Sequence, residues 1–573
     1  MSATPAASSG SPASSSPAPP SPASPPPAPP AARATPAPPA APAALPTGFV
    51  IALNHRVRVR ESGRVLIGGS PTRVLYLTPT AQALFDGRRL TVTDARSRAF
   101  ANRLLDAAMA EPVVADLPDY PQGDGSAAVT WVVPVRDRPA ALERLLLSLG
   151  HGHPIVVVDD CSIDPVAVER VAARFGARYL HLDVNVGPGG ARNAGLAVVE
   201  TPFVAFVDSD IVVEPDALGM LLRHFADDHV ALACPRVRAL PDGDGAGWIG
   251  RYEEARSSLD LGRRPATVRP RSEVSWVPSA CLVGRVAALT TAGPAAPDPV
   301  DPDPAAPGPT VAGFSADLRV GEDVDLVWRL AEAGWRVRYE PAATVRHEHR
   351  TELVDWLRRK AVYGTGSLEL GRRHPHDIAP VILAPWSAAL LAAVLAQRRW
   401  SLPVAAALFV YAAIGIRSKL GSSAQPTRLS VTLTAQGAAA ALSQGTALLL
   451  RHWWPLTLVG CLFSGRVRRA ALVAGAVDAA IEYVRTGAFR AGALEAGAAG
   501  PNPERTGPVA ADGVDTHRAE ATSRATGSRL DPVRFALARR LDDLAYGGGV
   551  WFSALRGRSA RALVPDIRRT RTR

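Results

Sequence analysis

The chain has 573 residues, of which 47% are hydrophobic and 6% aromatic, and its formal net charge is +11. A chain of this length exceeds what one compact core accommodates, so two or more domains are expected. The four cysteines have no CxxC spacing, which argues against a disulfide framework or a structural zinc site and favours a reduced, cytoplasmic setting.

The first 46 residues consist almost wholly of Pro, Ala and Ser and carry one charged side chain, Arg33. They lack the apolar core that a secretory signal peptide needs. A segment of this composition buries too little apolar surface to offset its chain entropy. We therefore predict that residues 1–46 are disordered, and a polyproline ligand for a partner is the alternative.

A small domain is predicted at residues 47–118. The stretch RVRVRESGRVLIGG (56–69) alternates apolar and basic residues around Ser-Gly, which indicates a β-hairpin. The other elements of this unit are predicted as a strand at 72–79, helices at 79–85 (with Thr80 as N-cap) and 97–110, and a linker at 116–126.

From residue 127 to 350 the pattern becomes a regular alternation of strands and helices. Such alternation indicates a mostly parallel sheet with right-handed crossovers, an α/β architecture. Ligands of these sheets bind outside the carboxyl ends of the strands. The predicted elements are strands at 128–135, 154–160, 177–183 and 203–208, and helices at 138–149, 165–176 and 187–199.

Two acidic residues follow the last of these strands, in FVAFVDSDIVVEP (203–215). A surface turn is one interpretation of Asp208-Ser-Asp210, because such tripeptides are common in turns. Their position at the end of a buried strand favours a metal site. Asp210 would ligate Mg²⁺ or Mn²⁺, cations that prefer oxygen ligands, while Asp208 would contact a ribose or the waters of the metal. The cation would neutralise a nucleoside diphosphate and stabilise it as a leaving group.

Further nucleotide contacts are predicted at the ends of the earlier strands. Asp160 would accept a hydrogen bond from a base imide, and for its neighbour Asp159 a strand-terminal cap is the alternative interpretation. The stretch NVGPGGARNAGL (185–196) supplies glycines for close backbone approach and an arginine for charge pairing, although it lacks the spacing of a P-loop. The remaining candidates are Pro134, Val135 and Arg136 around the base, and Gly189 and Arg192 near the sugar nucleotide.

The stretch GEDVDLVWRLAEAGWRV (321–337) begins with acidic residues before a helical apolar pattern. Acidic side chains in a first helical turn are favourable in any case. The alternative is that Asp323 is a general base that deprotonates an acceptor hydroxyl. Downstream, VRHEHR (345–350) places His347 and His349 on one face of a strand, and His347 is predicted as a further ligand of the metal or the diphosphate.

Residues 351–485 are rich in uncharged, apolar stretches, and residues 486–573 form a linker and a basic tail. We expect the apolar region to associate with a membrane, with a helical subdomain of alanine-rich core helices as the alternative. Between residues 531 and 573 there are ten arginines and four aspartates, a surplus that would suit nucleic acid or an anionic membrane.

As a set, VVPVRDRP, VVVDDCS, NVGPGGARNAGL, FVDSD and GEDVDLVWRL resemble the family 2 glycosyltransferases of GT-A fold. The resemblance covers roughly residues 128–350. It implies Asp160 at the nucleotide base, Asp208 and Asp210 at the ribose and metal, and Asp323 as the base of an inverting transfer. Residues 291–310 depart from the family as a surface insertion. The QxxRW motif of processive synthases is replaced by LRRKAVYGTGS (357–367), which argues against long-chain synthesis.

The N-terminal unit and the stretch RLDPVRFALARRLDDLAYGGGVWFSAL (529–555) are also similar to the mycofactocin-system glycosyltransferases. This narrower resemblance implies transfer of glucose from UDP-glucose to a peptide-derived redox cofactor, premycofactocin. From the cysteine content and the apolar region, we expect the enzyme at the cytoplasmic face of the cell membrane. It also implies that residues 47–118 are a PqqD-like, winged-helix-like domain that could hold a precursor peptide by strand addition. The alternatives are a stabilising appendage for that domain, and a lipid or polysaccharide acceptor for the enzyme. A non-catalytic, nucleic-acid-binding protein is disfavoured, since no aromatic–basic interleaving supports it.

Overall fold

The computed structural model describes residues 45–120, 128–241, 247–290, 313–486 and 530–567, and all of these belong to one compact unit. Almost all of the predicted disordered segment, the whole insertion at 291–310 and nearly all of the linker after residue 486 lie outside the described residues.

The N-terminal region contains two small antiparallel sheets, with strand orders β5-β6-β1-β7 and β2-β3-β4. The predicted hairpin is confirmed as β2 and β3, joined by a turn at Glu61–Gly63. Four strands of the first sheet escaped prediction because each has only two to four residues. The elements are β1 (Val50–Leu53), β2 (Arg58–Arg60), β3 (Val65–Gly68), β4 (Arg73–Tyr76), α1 (Pro79–Gln82), β5 (Phe85–Asp86), β6 (Arg89–Thr91), α2 (Ala95–Asp106) and β7 (Ala110–Pro112).

Both helices of this region begin at side-chain caps. Thr78, and not the predicted Thr80, caps α1, because its hydroxyl accepts the N–H of Ala81 at 3.2 Å and Pro79 takes the first helical position. Helix α2 begins two residues earlier than predicted. Asp94 and Ser97 form a reciprocal capping box there.

The α/β domain contains one large sheet whose strands follow the order β10-β9-β8-β11-β15-β13-β16-β12, with β14 paired to β16. The first four of these strands and the intervening helices agree with the predicted alternation. The elements are β8 (Val129–Val135), α3 (Pro139–Ser148), β9 (Ile155–Asp159), α4 (Pro165–Arg174), β10 (Arg178–His181), α5 (Gly187–Leu196), β11 (Phe203–Val207), β12 (Ile211–Val213), α6 (Ala217–Arg223), β13 (Val230–Ala239), α7 (Trp248–Arg256), β14 (Ala266–Val268), β15 (Cys281–Arg285), α8 (Val286–Thr290), α9 (Glu322–Glu332) and β16 (Arg336–His347).

The prediction of a mostly parallel sheet is wrong for the second half of this domain. Strands β10, β9, β8 and β11 are mutually parallel, as is the pair β13 and β16. In contrast, β15 runs antiparallel to β11 and β13, and both β12 and β14 run antiparallel to β16. The sheet is therefore mixed, because several connections after β11 do not return the chain in the same direction.

Successive side chains along each strand point to opposite faces of the sheet, so the core consists of two layers. On β11, the side chains of Phe203 and Ala205 pack with α3, α4 and α6, whereas those of Val204 and Phe206 pack with α5 and α9. This two-residue period is that of a strand buried on both faces. Helices α5 and α9 are thus fixed beside the carboxyl ends of β8, β9 and β11.

The N-terminal region is joined to this sheet by ion pairs of two buried arginines. Arg336 pairs with Asp106 of α2 at 2.6 Å and with Asp227 at 2.8 Å. Arg338 pairs with Glu111 of β7 at 3.1 Å. These arginine side chains are at most 6% exposed, and each is also paired with Asp227, Arg338 at 3.7 Å, so both buried cations have more than one acidic partner.

The C-terminal region is mainly helical. Helix α17 packs along α10, and Gly549 allows this close contact, since a Cβ at this position would collide with the carbonyl oxygen of Ala361. The elements are α10 (Leu353–Thr365), α11 (Ser367–Arg373), β17 (Ile382–Leu383), α12 (Pro385–Ala396), α13 (Ser401–Arg417), α14 (Pro426–Ala447), a π-helical turn (Leu448–His452), α15 (Trp454–Phe463), α16 (Gly465–Thr486), α17 (Pro532–Arg556) and β18 (Asp566–Ile567).

Much of the predicted basic tail is therefore packed helix. Asp542 and Asp543 of α17 are buried, and Arg539 donates a hydrogen bond of 2.5 Å to Asp543. The periodic apolar positions of α17, such as Phe535 and Ala538, account for this packing. Among the helices that the structure describes, none combines the length and the apolar character needed to cross a membrane.

Candidate active site

A cleft of about 2290 Å³ opens at the carboxyl ends of β8, β9 and β11. Most of the predicted site residues line it, including Pro134, Val135, Arg136, Asp160 and Arg192. The other predicted residues on its wall are Asp208, Asp210, Asp323 and His347. Segments separated by more than two hundred residues in the sequence thus meet at the predicted edge of the sheet.

The two carboxylates at the end of β9 have different surroundings. Asp159 is fully buried and accepts hydrogen bonds from the Ser162 backbone and the Tyr179 hydroxyl. Burial alone would raise the pKa of Asp159, but these hydrogen bonds bring it below its usual value. This carboxylate therefore caps the strand. Asp160 faces the cleft, and its oxygens accept the backbone N–H groups of Val186 at 2.7 Å and Gly187 at 3.0 Å.

Gly189 does not line the cleft. It lies in α5, where a Cβ would be 3.3 Å from the carbonyl oxygen of Ser315 and 3.4 Å from the Cβ of Phe314. This glycine allows α5 to approach the segment before α9, which is a packing role and not the predicted nucleotide contact. Gly187 and Pro188 form the nearby part of the cleft wall instead, and neither was predicted as a site residue.

Asp208, Ser209 and Asp210 follow directly after the end of β11. The backbone N–H of Asp208 donates to Ala280 at 3.0 Å, and the carbonyl oxygen of Asp210 accepts the N–H of Glu348 at 3.1 Å. Strand β12 then pairs with the end of β16, and Ile211 lies opposite His347. This register places the His347 Nε2 atom 3.5 Å from Oδ1 of Asp210.

The surroundings of Asp210 suit a hard divalent cation. Its carboxylate and the His347 imidazole are oxygen and nitrogen donors at the cleft wall, a set compatible with Mn²⁺ or Mg²⁺ when phosphate oxygens and water complete the coordination. The other oxygen of Asp210 accepts a hydrogen bond of 2.6 Å from Arg138. Within the described ranges, no three His, Cys, Asp or Glu side chains form a complete protein metal cluster.

His347 and His349 are adjacent, as predicted, with ring centroids 4.9 Å apart. Burial, followed by electrostatic interaction with the neighbouring His347 and Lys360 side chains, lowers the pKa of His349 to about 3. Glu253 accepts hydrogen bonds from Trp356 at 2.7 Å and forms an ion pair with Lys360 at 2.8 Å. This cluster forms the cleft wall beyond the metal candidates.

Arg192 is buried beneath the carboxylates. Its side chain is 2% exposed, and it donates to Asp208 at 2.5 Å and to Glu322 at 3.1 Å. The guanidinium also lies 5.2 Å from the centre of the Phe314 ring. Burial tends to lower the pKa of Arg192, but the charges of Asp208 and Glu322 raise it overall, so the side chain remains a cation. Arg192 therefore fixes two acidic side chains relative to each other.

Asp323 lies in the first turn of α9, which begins after Gly321 in the left-handed conformation at φ 86°. Its Oδ2 atom accepts the N–H of Ser279 at 3.3 Å. Burial raises the pKa of Asp323 to about 7, and the charge of Glu322 adds to the rise. A carboxylate with this pKa accepts a proton near neutral pH. Because Ser279 and Ala280 are consecutive, one short segment contacts both Asp323 and Asp208.

A buried network that sequence reasoning missed supports α9. Asp325 is 1% exposed and accepts hydrogen bonds from Ser315 at 2.7 Å, from Arg329 at 2.8 Å and from His374 at 3.0 Å. Burial alone would lower the pKa of His374, but its contacts with Asp325 and Glu332 raise it to about 9. The network connects the helix that carries Asp323 to the end of α11.

Two further parts of the cleft wall were not predicted as site residues. Arg359 of α10 lies in the stretch that replaces QxxRW, and its guanidinium is 4.8 Å from the centre of the Tyr363 ring. His55 and Arg56, between β1 and β2, bring the N-terminal region to the same cleft. No local sequence signal marks these contacts, because they depend on how distant segments pack.

Comparison with known proteins agrees with this architecture. Residues 130–277 match the family described as Glycosyl transferase family 2. A pre-mycofactocin glycosyltransferase of Mycobacterium tuberculosis is 39% identical over 527 residues, which cover 91% of this chain and 99% of that protein. The succinoglycan biosynthesis protein ExoO of Rhizobium meliloti is 34% identical over 131 residues, 23% of this chain and 36% of that protein.

Solved structures of glycosyltransferases are more distant. A mannosyltransferase of Pyrobaculum calidifontis, in complex with GDP-Man and Mn²⁺, has 19% identity and a TM-score of 0.30, and the match covers 58% of this chain and 91% of that chain. A glucosyl-3-phosphoglycerate synthase of Mycobacterium tuberculosis, in complex with Mn²⁺, UDP and phosphoglyceric acid, has 17% identity and a TM-score of 0.28, with coverage of 43% and 79%.

Because the match to the mycobacterial protein covers 91% of this chain, it is not confined to residues 130–277, which match the family model. This chain is a glycosyltransferase of family 2 and belongs to the pre-mycofactocin glycosyltransferases.

Proposed function

We propose that this enzyme transfers glucose from UDP-glucose, with inversion at the anomeric carbon, to premycofactocin, a peptide-derived redox cofactor. The near-complete coverage of the mycobacterial relative supports the choice of acceptor. The observation that carries the chemistry is the position of Asp323, a carboxylate with a pKa of about 7, in the same cleft as Asp208 and Asp210.

The donor would bind at the carboxyl ends of β8, β9 and β11. Asp160 remains able to accept the imide N–H of uracil, since each carboxylate oxygen has a second lone pair beside its backbone hydrogen bond. Pro134, Val135 and Arg136 border the same part of the cleft and would frame the base. Asp208, held by Arg192, would contact the ribose.

Mg²⁺ or Mn²⁺ would be held by Asp210 and His347. When bound, the cation would neutralise charge on the diphosphate and stabilise UDP as it departs. Arg359 stands on the cleft wall with its guanidinium over Tyr363 and would add positive charge for the same phosphates.

In the reaction, Asp323 would take the proton of an acceptor hydroxyl as that oxygen attacks C1 of the glucose. The bond between C1 and the diphosphate oxygen breaks, UDP carries away the electron pair, and the configuration at C1 inverts. The proton on Asp323 then returns to solvent. The raised pKa of Asp323 suits this role, because near neutral pH a large fraction of the carboxylate is deprotonated and can still accept a proton effectively.

The N-terminal region at 47–118 would act as a PqqD-like, winged-helix-like recognition domain. In the described residues, β4 pairs with β3 along one side, which leaves an edge to which an extended peptide could add. His55 and Arg56 of this region reach the cleft, so a bound peptide segment would lie near the acceptor end of the site.

Product analysis with purified enzyme tests the proposal. UDP-glucose and a cation would be incubated with premycofactocin, with an unrelated small peptide as a control, or with a lipid or oligosaccharide acceptor. We expect a hexose adduct of premycofactocin with β configuration by mass spectrometry and NMR, and none with the control peptide. Transfer confined to the lipid or the oligosaccharide would contradict the proposed acceptor while retaining the reaction type.

A further inference from the structure

The helices after residue 377 carry an unusual combination of surface groups. Residues 378–477 contain no Asp or Glu and nine basic residues. Of the 32 large apolar side chains that are exposed among the described residues, 19 lie between Val394 and Val484. Exposed apolar side chains at this density mark an interaction surface.

Basic residues and exposed apolar side chains come together at one corner of this helical region. The turn between α12 and α13 contacts the turn between α15 and α16, because Gln397 donates a hydrogen bond of 2.8 Å to the carbonyl oxygen of Arg466. We call residues 397–402 and 462–469 the basic corner. Its apolar side chains are Trp400, Leu402, Leu462 and Phe463, of which Leu402 is 79% and Phe463 84% exposed.

Five arginines lie in the same two turns as these apolar side chains, namely Arg398, Arg399, Arg466, Arg468 and Arg469. Across the described ranges, no carboxylate is found in an ion pair with any of the five. Exposed aromatic and aliphatic side chains next to arginines without an acidic partner fit a surface that is apolar just below a negatively charged layer. An anionic lipid bilayer has this arrangement, with headgroup phosphates above hydrocarbon.

We propose that the basic corner docks this enzyme on an anionic bilayer, with Trp400, Leu402, Leu462 and Phe463 inserted among the headgroups. A second copy of the chain fits less well, because two such corners would place ten arginines together without acidic partners. Residues 487–529 contain only four large apolar residues, Phe489, Leu494, Val509 and Val514, and so offer little to cover the corner. The cytoplasmic leaflet is the expected surface, since the cysteine content favours a reducing compartment.

Docking at this corner would hold the cleft away from the lipid. Helix α16 begins at the corner with Gly465 and ends with Val484, Arg485 and Thr486 on the cleft wall. Its 22 residues correspond to about 33 Å along a helix. The bilayer would therefore serve as an attachment site, and the acceptor would approach the cleft from the aqueous side.

Flotation of the full chain with lipid vesicles, without detergent, tests the docking. Vesicles of phosphatidylcholine alone would be compared with vesicles that also contain phosphatidylglycerol, at low and high NaCl. We expect several-fold more protein to float with the anionic vesicles, and less at high salt, because exposed charges are then screened. The double variant Leu402→Glu/Phe463→Glu should weaken binding by at least roughly tenfold, since both side chains would lose their apolar contacts.

The matched control is Leu147→Glu/Val166→Glu, which changes two exposed apolar side chains of the GT-A domain, 68% and 57% exposed. It should float like the wild type. Equal flotation of both double variants, or no flotation of the wild type, would overturn the proposal. So would a wild-type dimer that Leu402→Glu/Phe463→Glu converts to monomer without any vesicle binding. UDP release in vesicle-free buffer, measured on the same samples, reports the catalytic proposal separately, and the corner variants should retain it.

Discussion

Arg138 donates a hydrogen bond of 2.6 Å from Nη1 to Oδ2 of Asp210, the carboxylate that we assign to the divalent cation. The guanidinium and the cation would compete for this oxygen. The arginine side chain is 42% exposed, so the contact is worth roughly 0.5–1 kcal/mol. We expect Arg138→Ala to lower the Mn²⁺ concentration for half-maximal activity by roughly two- to fivefold at saturating UDP-glucose.

Arg144→Ala is the matched control for this prediction. Arg144 is a neighbouring arginine of α3 with a similar exposure of 39%, and it pairs with Glu348 and not with Asp210. Its removal should leave the Mn²⁺ requirement unchanged. A higher Mn²⁺ requirement in Arg138→Ala would mean that the guanidinium assists the cation or the diphosphate.

The pH dependence of catalysis should follow Asp323. Since the base must be deprotonated and its pKa is raised to about 7, kcat/KM should rise with pH through about 7 and level off above it. In Glu322→Gln the acidic limb should move to lower pH, because the negative charge that helps to raise the pKa of Asp323 is removed. Burial remains in that variant, so the shift should be partial. A limb that does not move in Glu322→Gln would assign the titration to another group.

His374 should stabilise the fold in a pH-dependent manner. Its pKa is raised to about 9 by Asp325 and Glu332, so the stabilisation is fully present below about pH 6.5 and is lost as the pH rises through about 9. The raised pKa corresponds to a contribution on the order of 3 kcal/mol. Urea unfolding of wild type and His374→Gln should therefore differ strongly near pH 6 and much less near pH 10. A difference that is independent of pH would attribute the effect to packing against Trp328.

Adjacent glycines of α17 should respond to alanine in opposite ways. At Gly549 a Cβ would collide with the carbonyl oxygen of Ala361, so Gly549→Ala should separate α17 from α10 and destabilise the protein by roughly 2 kcal/mol or more. At Gly548 the nearest atom, in Trp454, is 4.0 Å away. Gly548→Ala should therefore be neutral or stabilising by up to about 1 kcal/mol, from helix propensity. Equal effects on the melting temperature would argue against the close helix contact.

The part of the site that follows the strands could be predicted from local pattern. Buried strands and amphipathic helices have different periods, and polar residues at strand ends fall at one edge of a parallel sheet. These two rules were sufficient to predict that Asp160, Asp208 and Asp210 lie at this edge of the sheet. The acidic start of α9 also marked Asp323, although its contact with Ser279 could not be inferred.

The features of the site and the fold that were not predicted depend on contacts between distant segments. Arginine is usually exposed, so nothing local indicated that Arg192 is buried between Asp208 and Glu322. The pairing of Asp325 with His374 joins two helices that local periodicity treats separately. The antiparallel strand β15 and the packing of α17 likewise result from tertiary contacts, which explains why a mostly parallel sheet and a basic tail were predicted.

UDP release from UDP-glucose in the presence of the acceptor tests the central assignment most directly, with wild type and Asp323→Asn compared in Mn²⁺ and in EDTA. We expect wild type to release UDP only with the cation and Asp323→Asn to be slower by about 10²–10⁴-fold, the range for loss of a general base. Asp325→Asn would not serve as a matched control variant, because it would disrupt the hydrogen-bond network that supports α9. The control for folding is instead that Asp323→Asn binds UDP-glucose as the wild type does. Release by Asp323→Asn at the wild-type rate, or undiminished release in EDTA, would contradict the roles given to Asp323 and Asp210.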